Sequence, residues 1–195
     1  TLFRSASEII LKQINLNYFE KGMLFMKTNK IIITSLLLAI GLILHQITPG
    51  IFLGMKPDLL LVFMILSITI TKDFKIALIT GIVAGVLCAL TTTFPGGQLP
   101  SIIDKIITSI IVYFIYKSLK SNSSLKLSSI YFLGTIVSGN IFLSSALFLF
   151  GLPAPFLALF VSIVLPTSVF NCFVGFSIHK LIATNPALKS KFINF

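Results

Sequence analysis

Residues 89–105 read Ala-Leu-Thr-Thr-Thr-Phe-Pro-Gly-Gly-Gln-Leu-Pro-Ser-Ile-Ile-Asp-Lys and join two long apolar runs. The stretch carries five hydroxyl or amide side chains, two glycines, two prolines and the adjacent charges Asp104 and Lys105. Irregular backbone at membrane depth is tolerated only where protein or a wet cavity satisfies its polar groups. Polarity this dense inside an apolar chain therefore predicts that the stretch lines a ligand cavity, which the remaining helices hold in place.

The composition is that of a membrane protein. Mean hydropathy is +1.05, 56% of residues are hydrophobic and only 10% are charged, whereas about a quarter of residues are charged in soluble domains. The net charge of +10 does not indicate nucleic-acid binding, because the lysines lie between apolar runs and form no single basic face. The sequence contains no P-loop, dinucleotide fingerprint or Ser/His/Asp set. We therefore expect no enzymatic activity, no ATP hydrolysis by this chain and no cofactor.

The two cysteines, Cys88 and Cys172, both fall inside apolar runs. Cysteine in such surroundings behaves as a small buried hydrophobe. The pattern indicates structural thiols and gives no reason to expect a disulfide or a metal site.

Six apolar segments predict an all-α, polytopic membrane protein. A span needs roughly 20 residues to cross about 30 Å of hydrocarbon, so the second and third segments are short, and we expect flanking residues to extend the second. All six are expected to be helices because a backbone in lipid must satisfy its own hydrogen bonds. The predicted segments are 30–47, 58–71, 74–90, 101–119, 127–150 and 155–184.

The first 25 residues differ from the rest. They are polar, mixed in charge and without the continuous apolar core of a signal peptide. Met26-Lys-Thr-Asn-Lys then leads directly into the first apolar run. We expect residues 1–25 to be an upstream, disordered leader, translation to begin at Met26, and residues 26–195 to form one six-helix domain.

The loops alternate in charge, which predicts the topology. Lysine-rich loops mark the cytoplasmic side. One side of the predicted bundle carries a single acid, Asp73, against ten lysines: Lys27, Lys30, Lys72, Lys75, Lys117, Lys120, Lys126, Lys180, Lys189 and Lys191. Both termini are therefore predicted to be cytoplasmic.

The opposite, outer side carries only four charges, arranged as two couples where helices re-enter the membrane: Lys56 with Asp58, and Asp104 with Lys105. A zwitterionic ligand such as an amino acid needs a cation for its carboxylate and an anion for its ammonium. Helix capping is the alternative for both acids. Asp58 follows Pro57 at a helix start, and Ser101-Ile-Ile-Asp104 matches a capping box.

Four further residues are candidates for contact with the ligand or with other helices. His45 lies near the outer end of the first helix and is either a packing or headgroup residue or a ligand contact. Asn140, in the middle of the fifth helix, either bonds another helix or contacts ligand. Asn171 is expected to bond another helix, and Phe94, beside Pro95-Gly-Gly, to stack on a ligand ring.

Ser35-Leu-Leu-Leu-Ala39 places two small residues on one face of the first helix, with Gly41 nearby. Small residues four apart let another helix approach closely. The face serves either a partner protein or packing within the bundle.

Together these residues resemble the substrate-binding S subunits of energy-coupling factor (ECF) transporters, and most of all the tryptophan-specific family, TrpP. The resemblance runs from Met26 to about Lys120 and more loosely through helices five and six. It rests on Ala39-Ile-Gly41, on Gly54-Met-Lys-Pro-Asp58, and on residues 89–98 with Ile103-Asp-Lys105.

The resemblance implies a six-helix subunit of the bacterial cytoplasmic membrane that captures L-tryptophan, or a related aromatic amino acid, from outside. It implies docking through Ser35 and Ala39 on a membrane coupling subunit driven by two cytosolic ATPases. His45 comes from the residues alone; the other expected ligand contacts are carried over by position. The full set is His45, Lys56, Asp58, Thr92, Thr93, Phe94, Gly96, Gly97, Gln98, Asp104, Lys105, Asn140 and Ser144.

The chain contains no tryptophan, although membrane proteins usually place it at the interfaces. A protein needed when tryptophan is scarce is easier to make without it; an AT-rich genome is the other explanation. Two rival functions stay open. One is a structural protein of the cell-wall machinery, and the other is a self-sufficient secondary transporter, a class that usually shows two repeats with discontinuous helices.

Overall fold

The structure is a computed structural model that describes residues 28–49, 56–119, 124–186 and 188. Within these residues it is all helical, and the prediction of an all-α polytopic membrane protein is confirmed. Five helices are long and apolar enough to cross a membrane, and one is shorter. The predicted ends agree with the observed ones to within three residues. The helices are α1 Thr28–Ile47, α2 Leu59–Thr71, α3 Phe74–Thr91, α4 Gln98–Ser118, α5 Ser124–Phe150 and α6 Phe156–Thr184. The leader at 1–25 and the segment 50–55, which includes Gly54, lie outside the described residues.

The short helix α2 is the centre of the bundle. All 13 of its residues are buried, and it contacts α3, α4, α5 and α6. Leu37 and Leu38 of α1 also belong to the apolar clusters that enclose it. At 1.5 Å per residue it is only about 20 Å long. Protein rather than lipid surrounds it, so it need not match the bilayer thickness.

The ends of α2 are fixed, and the expectation that its flanks extend it is wrong. At its start the Asp58 side chain accepts a hydrogen bond from the backbone N–H of Leu61, at 3.0 Å. At its end Lys72 adopts a left-handed conformation, φ 54°, and its N–H bonds the carbonyl of Ile68. Helix α2 is shorter than the membrane is thick. Its start, and with it Asp58, therefore lies inside the bundle rather than at its surface.

One end of the bundle carries most of the described lysines. Successive helices of an up-and-down bundle alternate in direction, so the α2 end, the α3 start and the α4 end share one side. The described lysines on that side are Lys30, Lys72, Lys75, Lys117, Lys126 and Lys180. The start of α2 and the loop between α3 and α4 lie at the opposite end, which the charge rule assigns to the outside.

Helix α6 contains an irregular turn near that outer end. Residues Phe160–Val164 are π-helical, just before Pro166. Proline has no N–H to give the carbonyl four residues earlier and clashes with it, and a π-turn accommodates this locally. The turn packs tightly on α5, because a Cβ on Gly139 would lie 2.5 Å from Cγ1 of Val164.

Candidate ligand site

A cavity of about 140 Å³ lies beside the start of α2, at the end of the bundle that the charge rule assigns to the outside. All six helices and the loop between α3 and α4 contribute to it. It is lined by His45, Lys56, Asp58, Leu61, Cys88, Thr92, Thr93, Phe94, Ser101, Asp104, Lys105, Thr135, Ser138, Gly139, Phe142, Leu143, Ile163, Val164 and Thr167.

Asp58 has two roles in this cavity. Its Oδ1 accepts the N–H of Leu61 and so caps α2, while its Oδ2 lies 2.6 Å from Nζ of Lys105. The capping and functional interpretations are therefore compatible. Each oxygen of the carboxylate therefore has its own partner, the Leu61 N–H or the Lys105 ammonium.

Asp104 and Lys105 are almost fully enclosed, with exposed fractions of 1% and 3%. The Lys105 ammonium pairs with Asp104 as well as Asp58, and it donates to Oγ of Ser138 at 3.3 Å. Asp104 accepts from Ser138 and from Thr108, each at 2.8 Å. Lys105 thus joins the start of α2 to α4 and α5.

The capping-box alternative for Ser101 and Asp104 is wrong. Helix α4 begins at Gln98, three residues earlier than predicted. Ser101 therefore lies within the first turn, and its hydroxyl donates to the carbonyl of Gly97 at 2.7 Å. Asp104 instead faces the bundle interior, where hydroxyls and an ammonium surround it.

The charges are paired differently from the two couples expected from the sequence. Lys105 serves both carboxylates, and Lys56, half-buried on the cavity wall, has no carboxylate within 4 Å among the described residues. Two carboxyl groups therefore share one ammonium in the interior. Lys56 supplies a separate positive charge on the same cavity.

Helix α5 faces the cavity with two small polar residues and one aromatic residue that sequence reasoning missed. Thr135, Ser138 and Phe142 are spaced by three and four residues, so they share one face of the helix. That spacing was the available signal, but the amide of Asn140 drew attention instead. Asn140 follows Ser138 by two residues, about 200° around the helix, and lies on the exposed side.

Asn171 of α6 bonds other helices, as predicted. Its side-chain N–H groups donate to Oγ1 of Thr135 at 3.3 Å and to the carbonyl of Asp58 at 3.5 Å. The residue is fully buried. It therefore fixes the start of α2 against α5 and α6 directly below the cavity.

The aromatic wall of the cavity comes from the loop between α3 and α4. Phe94 is buried and lies edge-on to Phe142, with ring centroids 5.4 Å apart. Gly96 has a left-handed φ of 72°, and the N–H of Gly97 bonds the carbonyl of Phe94 at 2.9 Å. The two glycines make the turn that points Phe94 inward, so they shape the site without lining it.

Eight of the thirteen expected ligand contacts line the cavity: His45, Lys56, Asp58, Thr92, Thr93, Phe94, Asp104 and Lys105. The other five lie off the cavity that the described residues form: Gly96, Gly97, Gln98, Asn140 and Ser144. Gln98 is exposed at the first position of α4, and Ser144 lies on a different face of α5 from Ser138.

Ser35 and Ala39 lie on the exposed side of α1. The hydroxyl of Ser35 bonds the carbonyl of Ile31 in its own helix, at 3.0 Å. Leu36, Ile40 and Ile43 are exposed on the same helix. Within the part of the chain that the structure describes, this face therefore points away from the bundle, which disfavours the internal alternative for the small residues.

Three comparisons bear on the identity of the chain. Residues 27–186 match the family described as tryptophan transporter TrpP. A probable tryptophan transport protein of Clostridium acetobutylicum is 48% identical over 77% of this chain and 89% of its own length. Proteins of the same description from Bacillus subtilis and Clostridium perfringens are 42% and 40% identical, over 82% and 80% of this chain and 93% and 91% of theirs. No solved structure matches the chain. The chain therefore belongs to the TrpP family of tryptophan transporters.

Proposed function

We propose that this protein is the substrate-binding subunit of an ECF-type importer in the bacterial cytoplasmic membrane. It captures L-tryptophan from outside in the cavity at the start of α2 and passes it to a membrane coupling subunit driven by two cytosolic ATPases. The observation that carries the proposal is the buried group of Asp58, Lys105 and Asp104 beside an aromatic wall, in a chain whose relatives are described as tryptophan transport proteins.

The cavity chemistry suits an aromatic amino acid. The carboxyl groups of Asp58 and Asp104 match the ligand ammonium, and Lys56 matches its carboxylate. Phe94, Phe142 and the apolar α6 side chains offer a surface for the indole ring, while Thr92 and Thr93 supply polar atoms near the same wall. Pockets of this kind orient a ligand with few polar groups on an apolar lining.

Two features support a need for partners. The sequence has no nucleotide-binding motif that would let the chain hydrolyse ATP itself. The exposed face of α1 around Ser35 and Ala39 is apolar with small residues, which suits close approach of a helix from another protein.

Tryptophan fluorescence tests the capture step directly, because the protein contains no tryptophan of its own. We expect the emission of titrated L-tryptophan to shift to the blue as it leaves water for the cavity. A charge-assisted hydrogen bond contributes about 1.5–3 kcal/mol, so Asp104→Asn and Lys105→Ala should weaken binding by roughly ten- to a hundred-fold.

Asp73→Asn is the matched control, because Asp73 caps α3 at the opposite end of the bundle through the N–H of Lys75. It should bind tryptophan like the parent. Absence of any shift in the folded parent protein would refute tryptophan capture. Uptake by cells that contain this protein but lack the coupling subunit and ATPases would instead favour a self-sufficient transporter.

A further inference from the structure

We infer that His45, Asp58 and Cys88 form the subsite for the substrate's ammonium group, and that neutral His45 recognises it as a hydrogen-bond acceptor. The inference rests on the proposed function and goes further: it selects one of the two carboxylates and gives His45 a role in recognition. It also assigns Asp104 to a different task, the positioning of Lys105.

Exposure separates the roles of the two carboxylates. Asp104 is only 1% exposed, and Thr108, Ser138 and Lys105 donate to it. Asp58 accepts from Leu61 and Lys105, and the Cys88 thiol lies 4.0 Å from both its oxygens as a weak donor. The Asp58 side chain is 21% exposed, so it is the carboxylate that a ligand in the cavity can reach.

His45 is the second acceptor. Its side chain is more than nine-tenths buried, with 8% exposed, and Nδ1 lies 3.7 Å from Oδ1 of Asp58. That distance is too long for a hydrogen bond, and Nδ1 has no hydrogen-bond partner among the described residues. A buried polar atom without a partner is costly, and a ligand N–H would satisfy it.

His45 and Asp58 present two acceptor atoms side by side. Nδ1 of His45 lies 3.7 Å from Oδ1 of Asp58, close enough for one ammonium group to contact both. Cys88 borders the pair, with Sγ 4.0 Å from both Asp58 oxygens. One nitrogen of His45, one oxygen of Asp58 and Sγ all lie within 4.8 Å of one another.

A metal ion is the alternative occupant of the same atoms. Tetrahedral zinc with bonds of about 2.0–2.3 Å brings its ligand atoms to roughly 3.3–3.8 Å from one another, near the 3.7 Å and 4.0 Å found here, so charge rather than distance separates the two occupants. Metal binding requires a thiolate, which would stand beside the Asp58 carboxylate in apolar surroundings. A thiol and a neutral imidazole around one carboxylate suit a single positive charge.

Three indole ligands test the subsite, each followed by its own fluorescence: L-tryptophan, tryptamine, which keeps the ammonium alone, and indole-3-propionate, which keeps the carboxylate alone. His45→Phe preserves the ring and removes the acceptor. We expect it to weaken L-tryptophan and tryptamine at least ten-fold and to change indole-3-propionate less than two-fold. His45→Asn retains an acceptor near the position of Nδ1 and should recover part of the loss.

His179→Phe is the matched control, because the Nδ1 of His179 is also buried without a partner among the described residues but lies near the opposite end of α6. It should leave all three ligands unchanged. Equal weakening of all three ligands by His45→Phe would show a structural role and overturn the inference, as would no weakening of tryptophan. A parent protein that binds no tryptophan would refute the proposed function as well.

Zinc added alone tests the remaining alternative, that the group is a metal site. It should not raise the melting temperature of the parent protein. A rise that is lost in both His45→Phe and Cys88→Ala would identify the group as a metal site and overturn its assignment to ammonium.

Discussion

Gly81 sets the distance between α3 and the α4 turn that carries Lys105. A Cβ at this position would lie 2.2 Å from Oγ of Ser109 and 2.8 Å from the carbonyl oxygen of Lys105. The Ser109 hydroxyl can rotate, but Cβ of Ser109, at 2.6 Å, and the Lys105 carbonyl are fixed to the α4 backbone and cannot move alone. The contact between the Lys105 ammonium and Asp58 therefore depends on a residue without a side chain, Gly81, in the neighbouring helix α3.

Gly81→Ala should separate α3 from α4 and displace Lys105. We expect a loss of stability near the upper end of the about 1–3 kcal/mol typical of overpacked sites, together with weaker tryptophan binding. Thermal unfolding in detergent and the fluorescence titration measure the two effects.

Gly134→Ala in α5 is the matched control for that change. Its Cβ would approach only the side-chain ends of Ile65 and Val112, at 2.9 and 3.1 Å, which can give way. A melting temperature lowered equally by both substitutions would show that backbone contact at Gly81 is not the deciding factor.

At the residue scale, the sequence predicted the polar residues better than their partners. Asp58, Asp104 and Lys105 were expected at a cavity because charge so close to apolar runs needs a reason, and all three line it. Their pairing was missed because Lys105 reaches from α4 to the start of α2. A contact across helices depends on tertiary distances that loop charges and local spacing do not contain.

At the scale of elements, helix bounds followed from hydropathy, whereas helix faces did not. The sequence placed a ligand-facing side on α5 but centred it on Asn140, about 200° from Ser138. A single amide stands out in an apolar helix, whereas Thr135, Ser138 and Phe142 are linked only by their helical spacing. The central position of α2 was also hidden, since a 13-residue apolar segment fits either a buried helix or a short span.

The exposed face of α1 gives a prediction at this scale. Ser35→Leu and Ala39→Leu should abolish assembly with the coupling subunit, because leucine prevents the close helix approach that small residues allow. Tryptophan binding should remain, since neither residue lines the cavity. Co-purification and the fluorescence titration give the two readouts.

Leu36→Ala is the control on the same exposed side of α1, because it makes the face smaller rather than larger. Assembly should survive this change. Intact assembly in both leucine variants would remove the α1 face from the docking surface, and lost ligand binding in either would point to a role inside the bundle.

At the scale of the whole molecule, the cavity and most of the lysines occupy opposite ends. Apart from Lys56 and Lys105, the described lysines lie at the end where α2 ends and α3 begins, while the cavity opens beside the start of α2. Capture from outside therefore requires that the lysine-rich end face the cytoplasm, as the positive-inside rule predicts. The orientation of the chain and the direction of capture are one claim, and a single labelling experiment tests both.

Helix α4 offers matched positions for that experiment. Gln98 and Lys117 are both exposed and lie at opposite ends of the same helix, about 28 Å apart at 1.5 Å per residue. In a background in which Cys88 and Cys172 are replaced by serine, a membrane-impermeant maleimide should label Gln98→Cys on intact cells. It should label Lys117→Cys only after the cells are permeabilised. The reverse pattern would place the cavity on the cytoplasmic side, which is incompatible with capture from outside whatever the ligand.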